Sequence, residues 1–534
     1  MTIFKKTLCL LLVLCFIGTA LVGCGKKGGA AGEEGAEGAE GVGGGSGTAA
    51  PTEKPTNEYG EPSFTTTNNY NELDFEGEEI AILYRDFIHN SREWYKASPE
   101  DELDEAIAMR NEAVQETLNI QIQFEPVESN GNDYNEYTAR FHGMVQTDIL
   151  NDLHYYDISA NFGYPTTSTS IRDFTTNLRD AEVFPYFEFS LPCWNQAVVN
   201  NTTFNNQLFY VCGDINLSMF DAAGVVWHNK TLYDRKKEDS DHDNMQDLAL
   251  EGLWTYDELY RWVNFLYEDS NGEAGIQGSD TFALLAAQSQ GAPFPIDAFP
   301  YAWDLEFVIT ENDGTHSFNV VGNQKVSDAL TKCRNLLRGV GTYNTSSAKT
   351  FAAGTALFYM ERLYSGYDAN MAIREMNDKY GLLPMPKYDV EQEQYGTTAQ
   401  DYYTIMFVLD HKDSTVPTKG EAVSAFLQLA TEESYTGVRG YYFNRIIKPK
   451  FFGTDDSEGT VSKSIALFDI IVANIKFDYC YIYSSQLGNI NHLWRNACQP
   501  GVEDTMDSLY NAKRDAFEKA ITETDAWLGL RSID

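Results

Sequence analysis

The stretch Glu79-Ile80-Ala81-Ile82-Leu83-Tyr84 decides the fold. It is apolar almost throughout and short, which suits a strand buried on both faces. Ser98-Pro99-Glu100-Asp101 follows and reads as a helix start, with Ser98 as the cap, Pro99 at the first helical position and acids in the first turn. Leu103, Ile107, Val114 and Leu118 then fall on one helix face. Ile120, Ile122 and Phe124 alternate as in a strand. Strand, helix and strand within about 50 residues predict a parallel βαβ unit, because parallel neighbours need a crossover of this length.

The same alternation continues downstream. A helix is expected over about 135–151, with Phe141, Val145 and Ile149 on one face, and it leads into the strand candidate Tyr156-Asp157-Ile158-Ser159-Ala160. Leu208 to Val211 and Gly224 to Trp227 read as strands. Thr255-Tyr256-Asp257-Glu258 reads as a capping box, with Leu259, Trp262, Val263 and Leu266 on the helix it opens. Val326, Leu330, Cys333 and Leu337 mark a further helix, Thr404 to Leu409 a strand, and Val423, Phe426, Leu427 and Ala430 another helix. The class is α/β, and no internal repeat is present.

Upstream of Glu79 the chain has a different character. Lys5 and Lys6 precede an apolar run from Thr7 to Val22, the pattern of an export signal. The run is shorter than the roughly 20 residues of a spanning helix. It ends at Leu21-Val22-Gly23-Cys24, which resembles the lipobox of bacterial lipoproteins. That resemblance implies a signal peptide over 1–23, cleavage before Cys24, and a lipid on the Cys24 thiol. Residues 24–74 are rich in Gly, Ala, Glu and Thr and poor in large apolar groups, so they are expected to form a disordered acidic tether. Such a tether has a typical reach of about 40 Å.

The net charge is −40, with apolar residues at 43%. So acidic a chain repels phosphate backbones and anionic lipid surfaces, so no nucleic-acid partner is expected and membrane attachment falls to the acyl chains. Of the 8 cysteines, Cys193, Cys212, Cys333, Cys480 and Cys498 lie in the body of the chain. Spacing does not decide between buried free thiols and a bridge such as Cys480–Cys498 or Cys193–Cys212.

Motifs of catalysis are lacking: the chain has no H-E-x-x-H, no G-x-S-x-G and no G-x-x-x-x-G-K-[ST]. His89, His142, His154, His228, His242, His316, His411 and His492 are not paired at ligand spacing. The acidic run Asp239-x-Asp241-x-Asp243-Asn244-x-x-Asp247 sets oxygen ligands at alternate positions, a pattern that suits a structural calcium as well as a solvated loop. Asn244 stands where such loops carry glycine, and no Glu lies twelve places from Asp239. The 32 Tyr, 31 Phe and 8 Trp give ample material for stacking on sugar rings, although most aromatics in any domain are core.

The order of the motifs resembles the extracellular solute-binding proteins of ABC transporters, of the sugar-binding kind. The lipobox and tether come first, then the strand Ile80–Tyr84 and the strand Tyr156-Asp157-Ile158. Asn206-Gln207-Leu208-Phe209-Tyr210-Val211 and Gly224-Val225-Val226-Trp227-His228-Asn229-Lys230 look like the family's G-x-x-Y-x-(L/V)-P … Y-Y-N-K, without its Gly and Pro and with Trp227-His228 for the aromatic pair. Leu253-Trp254-Thr255-Tyr256-Asp257-Glu258-Leu259 is similar to W-T-W-D-E-L, and Phe351-Ala352-Ala353-Gly354-Thr355-Ala356-Leu357-Phe358 to F-x-x-G-x-x-A-(M/F). Tyr380-Gly381-Leu382-Leu383-Pro384-Met385-Pro386 is similar to Y-G-x-x-P-x-P.

The resemblance implies two α/β lobes joined by crossover strands, a ligand cleft and a hinge. Lobe 1 would hold 75–215 with 380–435 returning to it; lobe 2 would hold 216–379 with 436–534. The cleft would draw on Tyr84 and Arg85 after the first strand, Phe162 and Tyr164 after the third, and Asp297, Tyr301 and Trp303 in a loop of lobe 2. Glu361, Arg362 and Tyr364 after the F-x-x-G strand, with Asp401 and Tyr402 before the strand at 404–409, would complete it. The implied protein is no enzyme and needs no cofactor; it passes a small-molecule ligand, a carbohydrate by the resemblance, to the permease subunits of an ABC transporter. The alternatives are a cell-surface glycoside hydrolase and a ligand-binding subunit feeding a membrane sensor.

Overall fold

The computed structural model describes residues 62–86, 90–95, 99–128, 156–162, 175–240, 243–270, 272–273, 275–288, 294–366, 372–399, 403–409, 419–452 and 462–532. Its two main sheets are built from β1 (Glu78–Asp86), β2 (Ile120–Glu128), β3 (Ile158–Phe162), β4 (Gly224–Asn229), β5 (Tyr267–Glu268), β6 (Thr281–Leu285), β7 (Thr342–Tyr343), β8 (Ala356–Arg362), β9 (Tyr380–Pro384) and β10 (Thr404–Val408). The first sheet has the order β10-β3-β1-β2. β1 is parallel to β2 and β3, with Ile80 opposite Ile122 and Ile82 opposite Ile158, whereas β10 runs antiparallel to β3. The second has the order β7-β6-β8-β4-β9, with β5 on the side of β6. β6 is parallel to β7 and β8, whereas β4 is antiparallel to both β8 and β9. The class is α/β, with two lobes.

The βαβ unit forms as its residues dictate. β1 is buried from Ile80 through Arg85. Helix Glu102–Leu118 buries Leu103, Ile107, Val114 and Leu118 in the same cores as β1. Its cap is Asp101, whose carboxylate accepts the N–H groups of Leu103 and Asp104 at 3.0 Å, so the helix starts after the expected Pro99. A carboxylate at the N-terminus answers both the open N–H groups and the helix dipole. The helix ends at Asn119 in the left-handed region, with φ 49°. The helix expected over 135–151 lies outside the described residues.

Two boundaries differ from expectation. Tyr380–Pro384 pairs with β4, so this strand belongs to the second sheet, and the return to the first sheet comes only with Thr404. The reason is register: Leu382 and Leu383 fill the row beside Trp227 and Val226 in the second core. Residues 62–74 pack on the first lobe and are not tether. Tyr70 is buried and its hydroxyl donates to Glu432 at 2.9 Å, Asn68 Nδ2 donates to the Tyr186 carbonyl at 2.8 Å, and Tyr435 donates to the Pro62 carbonyl at 3.0 Å. These hydrogen bonds, with Phe64, Tyr70 and Leu73 packed on the first-lobe core, hold this segment to the lobe. The export signal and Cys24 lie outside the described residues. Among those residues no helix is long and apolar enough to cross a membrane.

Among the described residues the chain passes between the sheets three times. Val211 still bridges to Met406 of β10, and thirteen residues on, Gly224 opens β4. The second passage runs from the end of β9 to Thr404. The third is helical: Gly420–Glu433 packs in the first lobe and continues through π-helical turns at Ser434–Val438 and Tyr442–Ile447 to Lys448–Phe452. Helix Lys463–Ala473 then packs on β9 in the second lobe.

Candidate functional site

In open α/β sheets ligands bind beyond the carboxyl ends of the strands, where the topology switches. Here that region gathers the ends of β1, β3 and β8, the starts of β4 and β10, and the three passages. The first-lobe side is a buried polar network. Glu93, from the short helix Asn90–Trp94 after β1, accepts the Ser218 N–H at 2.5 Å. Ser218 Oγ in turn accepts the Thr404 N–H at 2.9 Å. One carboxyl thus reaches the first passage, and through it the second. Glu93 is fully buried, and desolvation pushes its carboxyl up to about 8 against the hydrogen bonds from Ser218 and Thr404.

Arg110 ties this network to the third passage. Its guanidinium donates to the Glu93 carbonyl at 2.9 Å and to Ser434 Oγ at 3.0 Å. Burial lowers it to about 10. Both carboxylate oxygens of Asp214, on the first passage, accept from Nη1 of Arg439 at 3.1 and 3.0 Å, and the Arg439 guanidinium lies over the Tyr435 ring at 4.3 Å. Tyr442 donates to Asp221, and Tyr441 donates to Glu102.

On the second-lobe side, Arg362 ends β8 and pairs with Glu361 at 2.7 Å. Its guanidinium lies 4.8 Å from the centroid of Phe294, the first residue of helix Phe294–Ala302. Gly224 sits where Phe294 and Thr397 converge: a Cβ there would lie 2.6 Å from Cζ of Phe294 and 2.7 Å from Oγ1 of Thr397. Thr397 Oγ1 donates to the Gly224 carbonyl at 2.8 Å. The start of β4, the end of β8 and the second passage are thereby locked together.

The structure distributes the expected residues unevenly. Tyr84 is a core residue of β1, edge-on to Phe124 at 6.5 Å, and Arg85 beside it is buried. Phe162 ends β3 opposite Thr404. Tyr164, Asp401 and Tyr402 lie outside the described residues. Glu361 and Arg362 stand at the end of β8, and Tyr364 follows, half-buried.

Asp297 and Tyr301 are on a helix and not in the expected loop: they lie inside helix Phe294–Ala302, and Trp303 directly follows it. Asp297 is held by Arg495 at 3.0 and 2.5 Å. Tyr301 packs edge-on against Tyr481, and Trp303 is fully buried, its indole donating to the Pro386 carbonyl at 3.1 Å. Seven of the eight tryptophans are fully buried, so stacking on a ligand by these seven is ruled out in this conformation.

The acidic run is described only in part. Asp239 lies in helix Lys230–Ser240, and Asp241 is outside the described residues. Asp243 is exposed, Asn244 caps helix Met245–Leu250, and Asp247 pairs with Lys463 at 2.7 Å. No group of three or more potential metal ligands occurs among the described residues. Sequence reasoning missed Glu93, Asp214 and Arg439. The one local sign of Glu93 is its place beside Trp94 on a short segment after β1, a site that would bury both.

The fold is shared with known binding proteins. The sugar-binding protein MalE from Xanthomonas citri superposes with a TM-score of 0.50 at 9% identity, over 85% of this chain and 100% of that one. This is a two-lobed binding-protein fold. The GacH receptor of Streptomyces glaucescens, solved unliganded and with acarbose, gives 0.48 at 10% identity over 84% and 99% of the two chains. An ABC substrate-binding protein of Listeria monocytogenes in complex with cycloalternan gives 0.47 at 10% identity over 85% and 100%. No family model matches the chain, and no curated protein does.

Proposed function

We propose that this chain is an extracytoplasmic receptor, held to the membrane by a lipid on Cys24, that captures a carbohydrate for import by an ABC permease. The observation that carries the reading is the fold, two lobes joined by three passages, shared with the sugar-binding protein of Xanthomonas citri. Such lobes close on a ligand by bending at the passages. The chemistry around the passages favours a neutral ligand. Arg439 and Arg362 are already matched by Asp214 and Glu361, and the Glu93 carboxyl is driven toward its neutral form. A charged ligand recognised by Arg439 or Arg362 would have to displace its partner; a sugar, bound by hydrogen bonds and ring contacts, would not.

Calorimetry over a panel of neutral oligosaccharides tests the reading, with peptides as the counter-panel. The expected result is saturable heat with a sugar, together with a fall in radius of gyration by small-angle scattering. Silence to every sugar beside binding of a peptide would overturn the ligand class. Labelling of cells with an alkyne palmitate analogue tests the anchor: the native chain is expected to label and a Cys24→Ser chain is not.

A further inference from the structure

Cys333 and Cys498 lie 165 positions apart in the chain, yet their sulfurs are 3.5 Å apart. Both are fully buried. The approach is fixed from both sides. Cys333 sits on helix Gln324–Leu337, and its neighbour Arg334 donates to the Ala497 carbonyl at 3.0 and 2.8 Å and to the Asp504 carbonyl at 2.6 Å. One turn on, Arg338 donates to the carbonyls of Gln499 and Val502 at 3.3 and 2.7 Å and pairs with Glu503 at 2.8 Å. The residues on either side of Cys498 are therefore fastened to the helix that carries Cys333. Two of the other three buried cysteines have different company: Cys212 faces the sulfur of Met219 at 3.7 Å, and Cys193 faces the Gln428 amide at 3.9 Å.

We propose that Cys333 and Cys498 form a disulfide that fastens the segment after helix Asn491–Ala497 to helix Gln324–Leu337. The sulfurs need to close from 3.5 Å to a bond of about 2.05 Å. The oxidant is a disulfide, either of a small thiol such as glutathione or of a dithiol oxidoreductase. The thiolate of one cysteine attacks the oxidant's S–S bond and releases one thiolate. The second cysteine, as its thiolate, attacks the resulting mixed disulfide and releases the other. Two protons and two electrons leave the pair and convert one disulfide of the oxidant into two thiols. Burial raises the Cys498 thiol well above its usual range, and the pair is closed to an oxidant in the folded state. The bond therefore forms as the chain folds, and once formed it is shielded from reductant. The inference is independent of the ligand and holds or fails on thiol chemistry alone.

The test is to refold the full chain with a glutathione redox pair, block free thiols under denaturing conditions, and digest with trypsin. The dipeptide Cys333–Arg334 is expected linked to the peptide that begins at Asn496, the product being two hydrogens lighter than the two together and split by reductant. Recovery of both cysteines as blocked thiols after oxidative refolding would overturn the proposal. Melting is a second readout. The oxidised native chain is expected to lose several degrees of Tm when refolded under reduction, and Cys333→Ser and Cys498→Ser chains are expected to melt alike under both conditions. A redox-dependent Tm that survives in either variant would point to a different bridge and sink this one.

Discussion

Glu93 accepts the backbone N–H of Ser218 at 2.5 Å, so a carboxyl rooted in the first lobe holds the start of the chain's passage to the second. Its surroundings are apolar enough to raise it to about 8; Arg110 touches its carbonyl, and Asp221 adds a repulsive charge. The sign of the pH effect follows. Below the ordinary value of 4.5 the group is protonated in both folded and unfolded chains. Between 4.5 and about 8 the unfolded chain releases a proton that the folded chain keeps, so stability falls as pH rises. Above about 8 this contribution is flat. Glu93→Gln keeps the shape without the ionisation, so its denaturation midpoint, compared with the native chain in buffers across this window, is expected to lack that decline.

The fold was readable where periodicity is local. Ile80 to Tyr84, the helix face from Leu103 to Leu118, and Ile120 to Phe124 name their elements without help from the rest of the chain, and the parallel pairing follows from the crossover. The site was readable only in part, because a side chain's role is set by partners far along the chain. Asp297 and Trp303 look like cleft residues in sequence; Arg495, 198 positions on, and the Pro386 carbonyl, 83 positions on, make them structural. The Y-G-x-x-P-x-P resemblance marks Tyr380 to Pro386, but only the pairing of its strand with β4 says to which lobe it belongs.

The Asp297–Arg495 pair yields a prediction that separates packing from binding. Asp297→Ala leaves a largely buried guanidinium without its carboxylate, at a cost of about 3–5 kcal/mol. The urea midpoint is expected to fall accordingly, while calorimetry on the folded fraction shows unchanged ligand affinity. A large affinity loss with intact stability would instead restore Asp297 to the cleft.

Gly224 offers a steric prediction. A methyl group there meets the tip of the Phe294 ring and the Thr397 hydroxyl, both well inside van der Waals contact. The ring lies under the Arg362 guanidinium, and the hydroxyl is bonded to Gly224 itself, so neither yields cheaply. Gly224→Ala is expected to lower stability by about 1–3 kcal/mol or more, read from chemical denaturation.

The Asp214–Arg439 pair bears on motion between the lobes. Asp214 lies on the first passage and Arg439 on the third, between the two π-helical turns. Such turns interrupt the regular hydrogen-bond ladder and often mark functional places in helices. Arg439 spans the interruption: it stacks over Tyr435 before it and reaches Phe443 after it, at 4.3 and 5.8 Å, while its Nη1 donates to both carboxylate oxygens of Asp214. Lysine in its place keeps the charge but loses the planar guanidinium stacked between the two rings. Arg439→Lys is therefore expected to lower stability by about 1–3 kcal/mol. It should also loosen the coupling of two passages, so the unliganded chain should show a larger radius of gyration by small-angle scattering. A stability loss with unchanged dimensions would mean that the pair supports the helix alone and does not restrain the hinge.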